Sequence, residues 1–306
     1  MPAFLMFFIS TCLHIATIEA QVDRSAMKKK IESQPVASTA LLVNRINFAA
    51  FHDLSLLQFE KEFSPSNGLL SKGYRLTSLS IYRNSGNLDV KYACVWTKNN
   101  NISEWRSCHN ISAQAYQIFF DQQVKEGFHP TIITATGGGE VGNRQSNPIV
   151  FAAVFEKGNV PFQARHNING DEFMKMCTWA KANGYYLRWA SIYGGRDRLY
   201  AGIWEQSGTQ WDYSIFTAID SPIPIPMTKG NLKINFLTKN PFGEYLAVYT
   251  NNNYDIKECH ALDSGGYQNA FNGFNSGKYI PIVVQVAGDS RQSVLSTNYM
   301  GLFRKY

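Results

Sequence analysis

The sequence has few charged residues, few cysteines and no complete catalytic motif. Charged residues make up 17 % of the 306 residues and aromatic residues 14 %, a balance that suits a packed β-rich core and argues against disorder. The longest apolar stretch, Phe4 to Ile18, is shorter than the roughly 20 residues that a bilayer core requires. These absences exclude a disordered chain and a helical membrane protein from the expected classes.

The first 20 residues have the features of a secretory signal peptide. The apolar stretch ends in Ile18-Glu19-Ala20, which places a small residue at the expected cleavage point. We therefore predict a signal peptide over 1–20, a polar leader over 21–43 and a single repeat domain over 44–306, secreted to the cell exterior. The net charge of +6 is not concentrated in any basic run other than Lys28-Lys29-Lys30, so we expect neither nucleic-acid binding nor membrane insertion.

A five-residue pattern recurs along the chain: an aromatic, an apolar, a tiny, a branched or long apolar and a second aromatic residue. Repeats of this kind indicate a solenoid, propeller or array. The period-two alternation in and around the copies is typical of strands. The tiny residue between two aromatics lets a neighbouring sheet approach, so we expect these rings to lie in the core. The five copies start at Tyr92, Phe151, Tyr200, Tyr245 and Tyr299.

Each copy has an upstream strand before it and a downstream strand after it, and a helix follows most downstream strands. The predicted helices cover Asp53 to Phe63, Ser112 to Glu126, Asp171 to Asn183 and Asp263 to Phe274. One slot differs, because Asp220 to Pro226 contains three alternating prolines that cannot form a helix interior.

The two ends of the repeat domain look like complementary parts of one unit. The chain enters the domain with a downstream strand and helix, Ile46 to Phe63, and ends at Tyr306 directly after a patterned strand. Propellers often close by pairing such ends, because this removes free sheet edges. We therefore predict a mainly β fold with short helices, about five repeated units and a propeller-like closed ring; an open repeat array is the alternative.

These features resemble the bacterial tandem repeat domain 1 type of repeat, as in the N-terminal domain of fungal polyglycine hydrolases. The residues that carry the resemblance are the patterned strands at Tyr92 and Tyr200 and the strand-to-helix step Cys108-His109-Asn110-Ile111-Ser112. The resemblance covers roughly residues 44–306. It implies a secreted repeat fold and no particular reaction, and we expect the chain to lack the serine-hydrolase domain of those enzymes.

Two local motifs look catalytic or nucleotide-binding but lack their required context. Ser25-Ala26-Met27-Lys28 matches the Ser-x-x-Lys of serine hydrolases, yet it lies in the leader and no Lys-Thr-Gly follows. Gly137 to Gly142 matches Gly-x-Gly-x-x-Gly, but a strand and not a helix is expected after it. We expect no catalytic residue at the first motif and a hairpin loop at the second.

Four histidines occupy one repeated position, where the downstream strand meets its helix. They could converge on a metal ion, since imidazole is a common zinc ligand. Alternatively, each could satisfy local polar groups beside the predicted helix caps Asp53, Asn110 and Asn167, which is the simpler explanation for a repeated position. We expect no cofactor, and the low-ranking metal candidates are His52, His109, His166 and His260.

Four cysteines remain after signal removal, and one pair can be placed from the sequence. Cys94 and Cys108 lie about symmetrically around Asn101 in consecutive strands. Facing positions of a hairpin bring side chains near disulfide range, so we predict a Cys94–Cys108 bridge and leave Cys177 and Cys259 unassigned. Two glycosylation sequons, at Asn101 and Asn110, indicate a glycoprotein if the host is eukaryotic.

The sequence leaves three functions open. The first is a secreted, non-catalytic recognition module that binds an extracellular protein or carbohydrate through loops, with the segment Pro222, Pro224 and Pro226 as a contact candidate. The second is an accessory or degenerate relative of a secreted serine hydrolase that binds peptide without turnover. The third is a metal-dependent enzyme that uses the repeated histidines. We lean against an enzyme and expect a monomer.

Overall fold

The structure is a computed structural model that describes residues 48–83, 89–98, 104–136, 148–194, 198–217, 224–240, 243–288 and 297–306. The described residues form a mainly β fold with short helices and five antiparallel sheets. Four of these sheets have three strands and the remaining one has a fourth, two-residue strand. The prediction of a mainly β repeat fold with short helices is confirmed.

Each sheet belongs to one sequence-continuous unit, and the three main strands follow in the same order in every unit. Unit 1 consists of β1 (Phe48–Leu54), α1 (Leu56–Lys61), a short 3-10 helix (Leu70–Lys72), β2 (Tyr74–Arg83) and β3 (Val90–Lys98). Unit 2 consists of β4 (Trp105–Ile111), α2 (Ala113–Lys125), β5 (Phe128–Ala135) and β6 (Phe151–Lys157), and unit 3 of β7 (Phe162–Ile168), α3 (Gly170–Ala182), β8 (Tyr185–Gly194) and β9 (Arg198–Gln206). Unit 4 consists of β10 (Trp211–Thr217), β11 (Thr228–Lys229), β12 (Leu232–Lys239) and β13 (Glu244–Thr250). Unit 5 consists of β14 (Ile256–Leu262), α4 (Ser264–Ser276), β15 (Tyr279–Gly288) and β16 (Thr297–Lys305).

The unit therefore begins with the strand that the sequence placed last. We call the three main strands of a unit its first, second and third strand; the third carries the five-residue pattern and lies between the other two. The predicted pairing of the two chain ends is wrong, because β1 pairs with β3 and β16 pairs with β14 and β15. Unit 1 is complete by itself, and the described sheets are open ones that do not join into a barrel.

A β-bulge interrupts the first strand of four units at the repeated histidine. In unit 1, Phe51 faces Cys94 and Leu54 faces Tyr92, so two residues of β1 oppose one residue of β3. The second bulge residue has a positive φ in each case: Asp53 60°, Asn110 55°, Asn167 56° and Ala261 54°. Asp and Asn tolerate this left-handed conformation better than other residues with a side chain do, which explains why three of the four positions hold them.

The residues predicted to cap the helices lie in the bulges and not at the helix N-termini. The residues that cap α1, α2, α3 and α4 with their side chains are Ser55, Ser112, Asn169 and Asp263. Asp53, Asn110 and Asn167 lie two residues earlier, where they shape the bulge that turns the strand toward its helix.

Ala261 offers a direct test of this bulge. Replacing Ala261 by asparagine, the residue at the equivalent position of units 2 and 3, should raise the free energy of unfolding by about 0.5–1 kcal/mol, because a left-handed alanine is strained. Urea denaturation measures the change. The control is Ala270→Asn in α4, where asparagine has the poorer helix propensity and should lower the stability; a loss of stability in Ala261→Asn would contradict the assignment.

The second strands of successive units meet through small polar side chains. Thr134 Oγ1 of unit 2 accepts from the Ile81 amide of unit 1 at 3.4 Å, and Ser191 Oγ of unit 3 accepts from the Ala135 amide of unit 2 at 3.4 Å. Ser80 Oγ of unit 1 accepts from the Val286 amide of unit 5 at 3.0 Å. These side chains occupy one repeated position, so the contact from unit 5 to unit 1 has the same form as the contacts between sequential units.

Unit 4 departs from the pattern. Its first strand, β10, pairs with β13 without a bulge, and Ile215 occupies the position of the repeated histidine. Residues 224–227 are not helical, in agreement with the prediction for the proline-rich slot; residues 218–223 lie outside the described residues. Within the described ranges, no helix is long and apolar enough to cross a membrane.

Candidate functional site

The repeated histidines lie at different junctions between units, each facing a different helix or strand. His109 Nε2 of unit 2 is 3.5 Å from Glu60 Oε1 in α1, and His166 Nε2 of unit 3 is 2.9 Å from Gln117 Oε1 in α2. His52 Nε2 of unit 1 is 3.1 Å from Gln268 Oε1 in α4. The structure therefore does not bring the candidate metal ligands together, and no three potential ligand side chains group at one point among the described residues.

The polar partners of these histidines also occupy one repeated position. Glu60, Gln117 and Gln268 each lie five residues after the N-cap of their helix. The equivalent residue of α3 is Met174, and the next unit has Ile215 in place of histidine. Unit 4 has no described helix, and His260 of unit 5 bonds instead through Nδ1 to Glu258 Oε2 of its own strand at 2.7 Å. The first-strand histidines of units 1, 2 and 3, which are His52, His109 and His166, therefore each have a polar helix partner, whereas His260 has its partner within its own strand.

Burial favours the neutral form of two of the histidines. Burial lowers the pKa of His109, against the opposing effect of the Glu60 carboxylate, and burial also lowers the pKa of His166. Both rings pack edge-on against aromatic side chains, Phe59 for His109 and Tyr116 for His166. These two residues are packing elements of their junctions.

The junction between units 5 and 1 carries a larger hydrogen-bonded cluster, which we call the Asp53 cluster: His52, Asp53, Tyr82, Ser264 and Tyr299. Asp53 Oδ2 accepts from His52 Nδ1 at 2.8 Å and from Ser264 Oγ at 2.9 Å. Asp53 Oδ1 accepts from Tyr82 Oη at 2.7 Å and from Tyr299 Oη. The Asp53 amide in turn donates to Tyr82 Oη at 3.0 Å. One carboxylate therefore ties together the first and last units.

The cluster stabilises opposite charges on Asp53 and His52. Burial disfavours the Asp53 carboxylate, but hydrogen bonds from His52, Tyr299, Tyr82 and Ser264 outweigh it and hold the pKa of Asp53 well below its usual range. Burial also disfavours the charged imidazole, but hydrogen bonds to Asp53 and Gln268 raise the pKa of His52. Both ring nitrogens of His52 face oxygen acceptors, which suits the imidazolium form.

Serine, histidine and aspartate occur together here, but the arrangement is not a nucleophile relay. In a relay the serine and the carboxylate lie at opposite ring nitrogens. Here Ser264 Oγ donates to Asp53 and is 3.5 Å from the same Nδ1 of His52 that bonds to Asp53, while Nε2 faces Gln268. The cluster is a structural link between units.

The predicted Cys94–Cys108 bridge is not formed. All four cysteines of the described residues are buried free thiols. Cys94 lies in β3, whose two edges are occupied by β1 and β2, while Cys108 lies in β4 and faces Ala153 of β6. The prediction failed because β3 and β4 are consecutive in sequence but belong to different sheets. Burial raises the pKa of Cys177 and of Cys259 to about 12, which makes these thiols poor nucleophiles.

The structure gives local roles to some of the remaining candidates. Asn110 is exposed and forms a bulge, and Ser112 of the same sequon caps α2. The asparagine and the serine of this sequon thus each have a structural role. Pro224 and Pro226 are exposed on either side of buried Ile225. Asn101, Pro222 and the glycine-rich segment Gly137 to Gly142 lie outside the described residues.

A cavity of about 230 Å³ receives side chains from all five units. Most come from the second strands, at the point where a one-residue bulge interrupts the pairing of each with its third strand. The bulge pushes one side chain of each strand out of the regular ladder, and these five side chains line the cavity. They are Thr77, Thr131, Arg188, Asn235 and Ile282.

The charges around this cavity are mostly paired. Arg75 Nη1 is 2.8 Å from Glu156 Oε2. Arg188 Nε is 3.1 Å from Oε1 of Glu205, a carboxylate whose side chain is only 8 % exposed. These two atoms are close but not aligned for a hydrogen bond, and the second carboxylate oxygen accepts from Arg188 Nη1 at 3.4 Å. Burial opposes the charge on Arg188, but the Glu205 carboxylate outweighs it and raises the pKa of Arg188.

Sequence reasoning missed both the cavity and the Asp53 cluster. Each bulge that forms the cavity reverses the apolar alternation, but the part of the strand after it is buried on both faces, so the pattern does not reveal the change. A signal for the junctions was present: a polar residue five positions after the helix cap accompanies the histidine of the following unit. Reading that pair along the chain, and from the last unit back to the first, would have matched Gln268 with His52.

The fold defines the class of this protein as a tandem-repeat protein of strand–helix–strand–strand units. A family model described as polyglycine hydrolase-like, structural repeat, matches residues 46–99, 102–158, 159–207 and 256–306. The chain belongs to this family of polyglycine hydrolase-like structural repeats, which confirms the resemblance seen in the sequence. The matched segments correspond to units 1, 2, 3 and 5; unit 4 lacks the bulge and the histidine in its first strand. No curated protein matches the chain.

Proposed function

We propose that the chain is a secreted, non-catalytic recognition module that binds an extracellular carbohydrate or protein. The observation that carries this proposal is the cavity to which all five units contribute. It combines apolar walls with a few convergent polar groups, the combination found in small-ligand sites. Two other hollows, beside α2 with β7 and on the outer face of α3, draw residues from at most two units.

The finer architecture that goes with this function is a closed ring of five units. The contact between Ser80 and Val286 repeats the contacts between units 1 and 2 and between units 2 and 3. The position of His52 against α4 likewise repeats that of His109 against α1. A buried apolar cluster that contains Phe48, Phe271 and Phe303 spans the first and last units. In this proposal side-chain packing closes the ring, without a shared sheet.

A second candidate function has one observation in its favour, the family to which the chain belongs. An accessory or degenerate relative of a secreted hydrolase would bind peptide without turnover. Exposed Pro224 and Pro226 would then extend the contact surface beyond the cavity. A metal-dependent reaction is the least supported alternative, because the histidines that would hold the ion lie at separate junctions.

The test is a binding screen of the secreted mature protein against a glycan array and a peptide array. We expect binding to glycans, and we expect the cavity variant Thr131→Trp to abolish it by filling the site. The matched control is Thr178→Trp on the exposed outer face of α3, which should bind as the unaltered protein does. Binding to peptides alone would favour the accessory function, and stoichiometric zinc in the purified protein would favour the enzyme. Binding to neither array would reject the recognition module.

A further inference from the structure

Among the described residues, one cation of the cavity has no carboxylate partner. Of its three arginines, Arg75 and Arg188 are paired with glutamates. Arg304 has no carboxylate partner among the described residues; its guanidinium carbon lies 4.6 Å from the centroid of the Tyr254 ring. A guanidinium stacked on an aromatic ring keeps the N–H groups at its edge free, and their planar fork matches a carboxylate.

The indole of Trp189 forms a fixed part of the cavity wall. Trp189 is only 6 % exposed and lines the cavity. Its ring packs against Phe236 with centroids 4.7 Å apart, so the indole is held in place. The cavity therefore has one rigid aromatic wall, against which the apolar face of a sugar ring can pack.

The size and the walls of the cavity limit what can enter. About 230 Å³ is less than the roughly 300–1,000 Å³ of pockets for drug-sized ligands, which suits a single ring-sized group. Thr77, Thr131 and Asn235 add hydroxyl and amide groups from three different strands. An extended peptide would instead add to a free strand edge, and side chains of neighbouring units cover second-strand edges such as those at Ile81 and Val286.

From these observations we infer that the cavity binds a monosaccharide that carries a carboxylate, at the end of an acidic glycan. Arg304 holds the carboxylate, the Trp189 ring packs against the sugar ring, and the threonine and asparagine side chains bond to hydroxyl groups. This inference rests on the proposed recognition function and names its ligand class. It adds a specificity-determining role for Arg304, which no repeat pattern predicts, because the equivalent residues of the other units are threonine or glutamate.

Isothermal titration calorimetry of the full mature protein tests the inference with two probes. One is trigalacturonic acid, the other a sialic-acid-terminated trisaccharide, and each is compared with its methyl ester. We expect at least one acid to bind and its ester to bind at least tenfold more weakly. Arg304→Met should weaken binding of the acid at least tenfold, since hydrogen bonds to charged groups are strong. Arg304→Lys should lie between the two, because it keeps the charge and loses the fork.

The matched control is Arg165→Met, which removes the same charge from an exposed side chain outside the cavity and should change the affinity less than twofold. Equal binding of acid and ester, or an Arg304→Met variant that folds normally and binds as well as the unaltered protein, would overturn the inference while leaving the recognition function standing. Preference for a peptide with a free C-terminal carboxylate over both glycans would also overturn it. If no glycan and no peptide binds the unaltered protein, the proposed function fails as well.

Discussion

Replacing Asp53 by alanine should lower the free energy of unfolding by about 3 kcal/mol. The substitution removes the acceptor of four side chains, so the hydroxyls of Tyr82 and Tyr299 and the ring of His52 lose the carboxylate to which they donate. Loss of one member of a buried charged network costs about 3–5 kcal/mol, and the partial exposure of Asp53 places the expected value at the lower end. Urea denaturation of the mature protein gives the measurement.

Two variants distinguish the contribution of the hydrogen-bond network to stability from that of the left-handed backbone conformation at the bulge. Asn110→Ala removes a left-handed asparagine at the equivalent bulge of unit 2 and should cost only about 1 kcal/mol. Asp53→Asn keeps the backbone preference but not the charge, and should lie between the two alanine variants. A loss in Asp53→Ala no larger than that in Asn110→Ala would show that the network contributes nothing.

The same variant tests whether the ring is closed. The amides of Val284 and Val286 donate to the Ser78 and Ser80 hydroxyls at the junction that Asp53 stabilises. Hydrogen exchange of these two amides should therefore increase more in Asp53→Ala than that of Ala135, which donates to Ser191 at another junction. Equal protection of Val286 before and after the substitution would count against the closed ring.

The charges of the pair also give the stability a pH dependence of defined sign. The lowered pKa of Asp53 adds stability that is present above the unfolded value near pH 4 and is lost as the pH falls toward the folded pKa. The raised pKa of His52 adds stability that is complete below about pH 6.5 and is lost as the pH rises through the folded pKa. The pair should contribute most between these limits, and Asp53→Asn should remove the acidic loss.

Replacing Gly202 by alanine should destabilise the protein by about 2 kcal/mol. A Cβ at this position would lie 2.5 Å from the nearest ring atom of Trp204, and Trp204 is fully buried, so the ring could move only by disturbing the core. Overpacking of this kind costs about 1–3 kcal/mol. Thermal or urea denaturation measures the loss.

Two other glycine-to-alanine variants serve as comparisons for Gly202→Ala. At Gly301 the closest approach would be 2.9 Å, to Phe303, so Gly301→Ala should be the milder change. At Gly208 nothing lies within 4 Å of the added carbon, and Gly208→Ala should stay within about 0.5 kcal/mol of the unaltered protein. We infer that Gly202 makes room for the ring of Trp204 and not, as the sequence suggested, for a neighbouring sheet; a Gly202→Ala variant as stable as Gly208→Ala would refute this.

The strands and most helices could be predicted from the sequence because they depend on local pattern. The aromatic pairs around a tiny residue indicate the third strands, and the prolines between Asp220 and Pro226 exclude a helix there. The start of the unit could not be predicted in this way. A repeat has the same period wherever counting begins, and only the pairing of β1 with β3 shows that the unit starts at the first strand.

The failed disulfide has the same origin. Adjacent strands with a short connection favour a hairpin, but β3 already has β1 and β2 on its two edges. β4 therefore pairs within the sheet of unit 2, and this separates Cys108 from the strand of Cys94. Which two strands pair with β3 depends on β1, β2 and β4 together. Comparing β3 with β4 alone therefore cannot predict that they lie in different sheets.

The sequence by itself determined the repeat, the family, the strand and helix content and the exceptional character of unit 4, because each depends on residues that are near one another along the chain. Only the tertiary structure decided the phase of the units, the meeting of His52 with Gln268, the Asp53 cluster and the cavity around Arg304. These features join residues up to 246 positions apart, as between Asp53 and Tyr299. Side-chain packing between units, and not local backbone preference, determines such contacts.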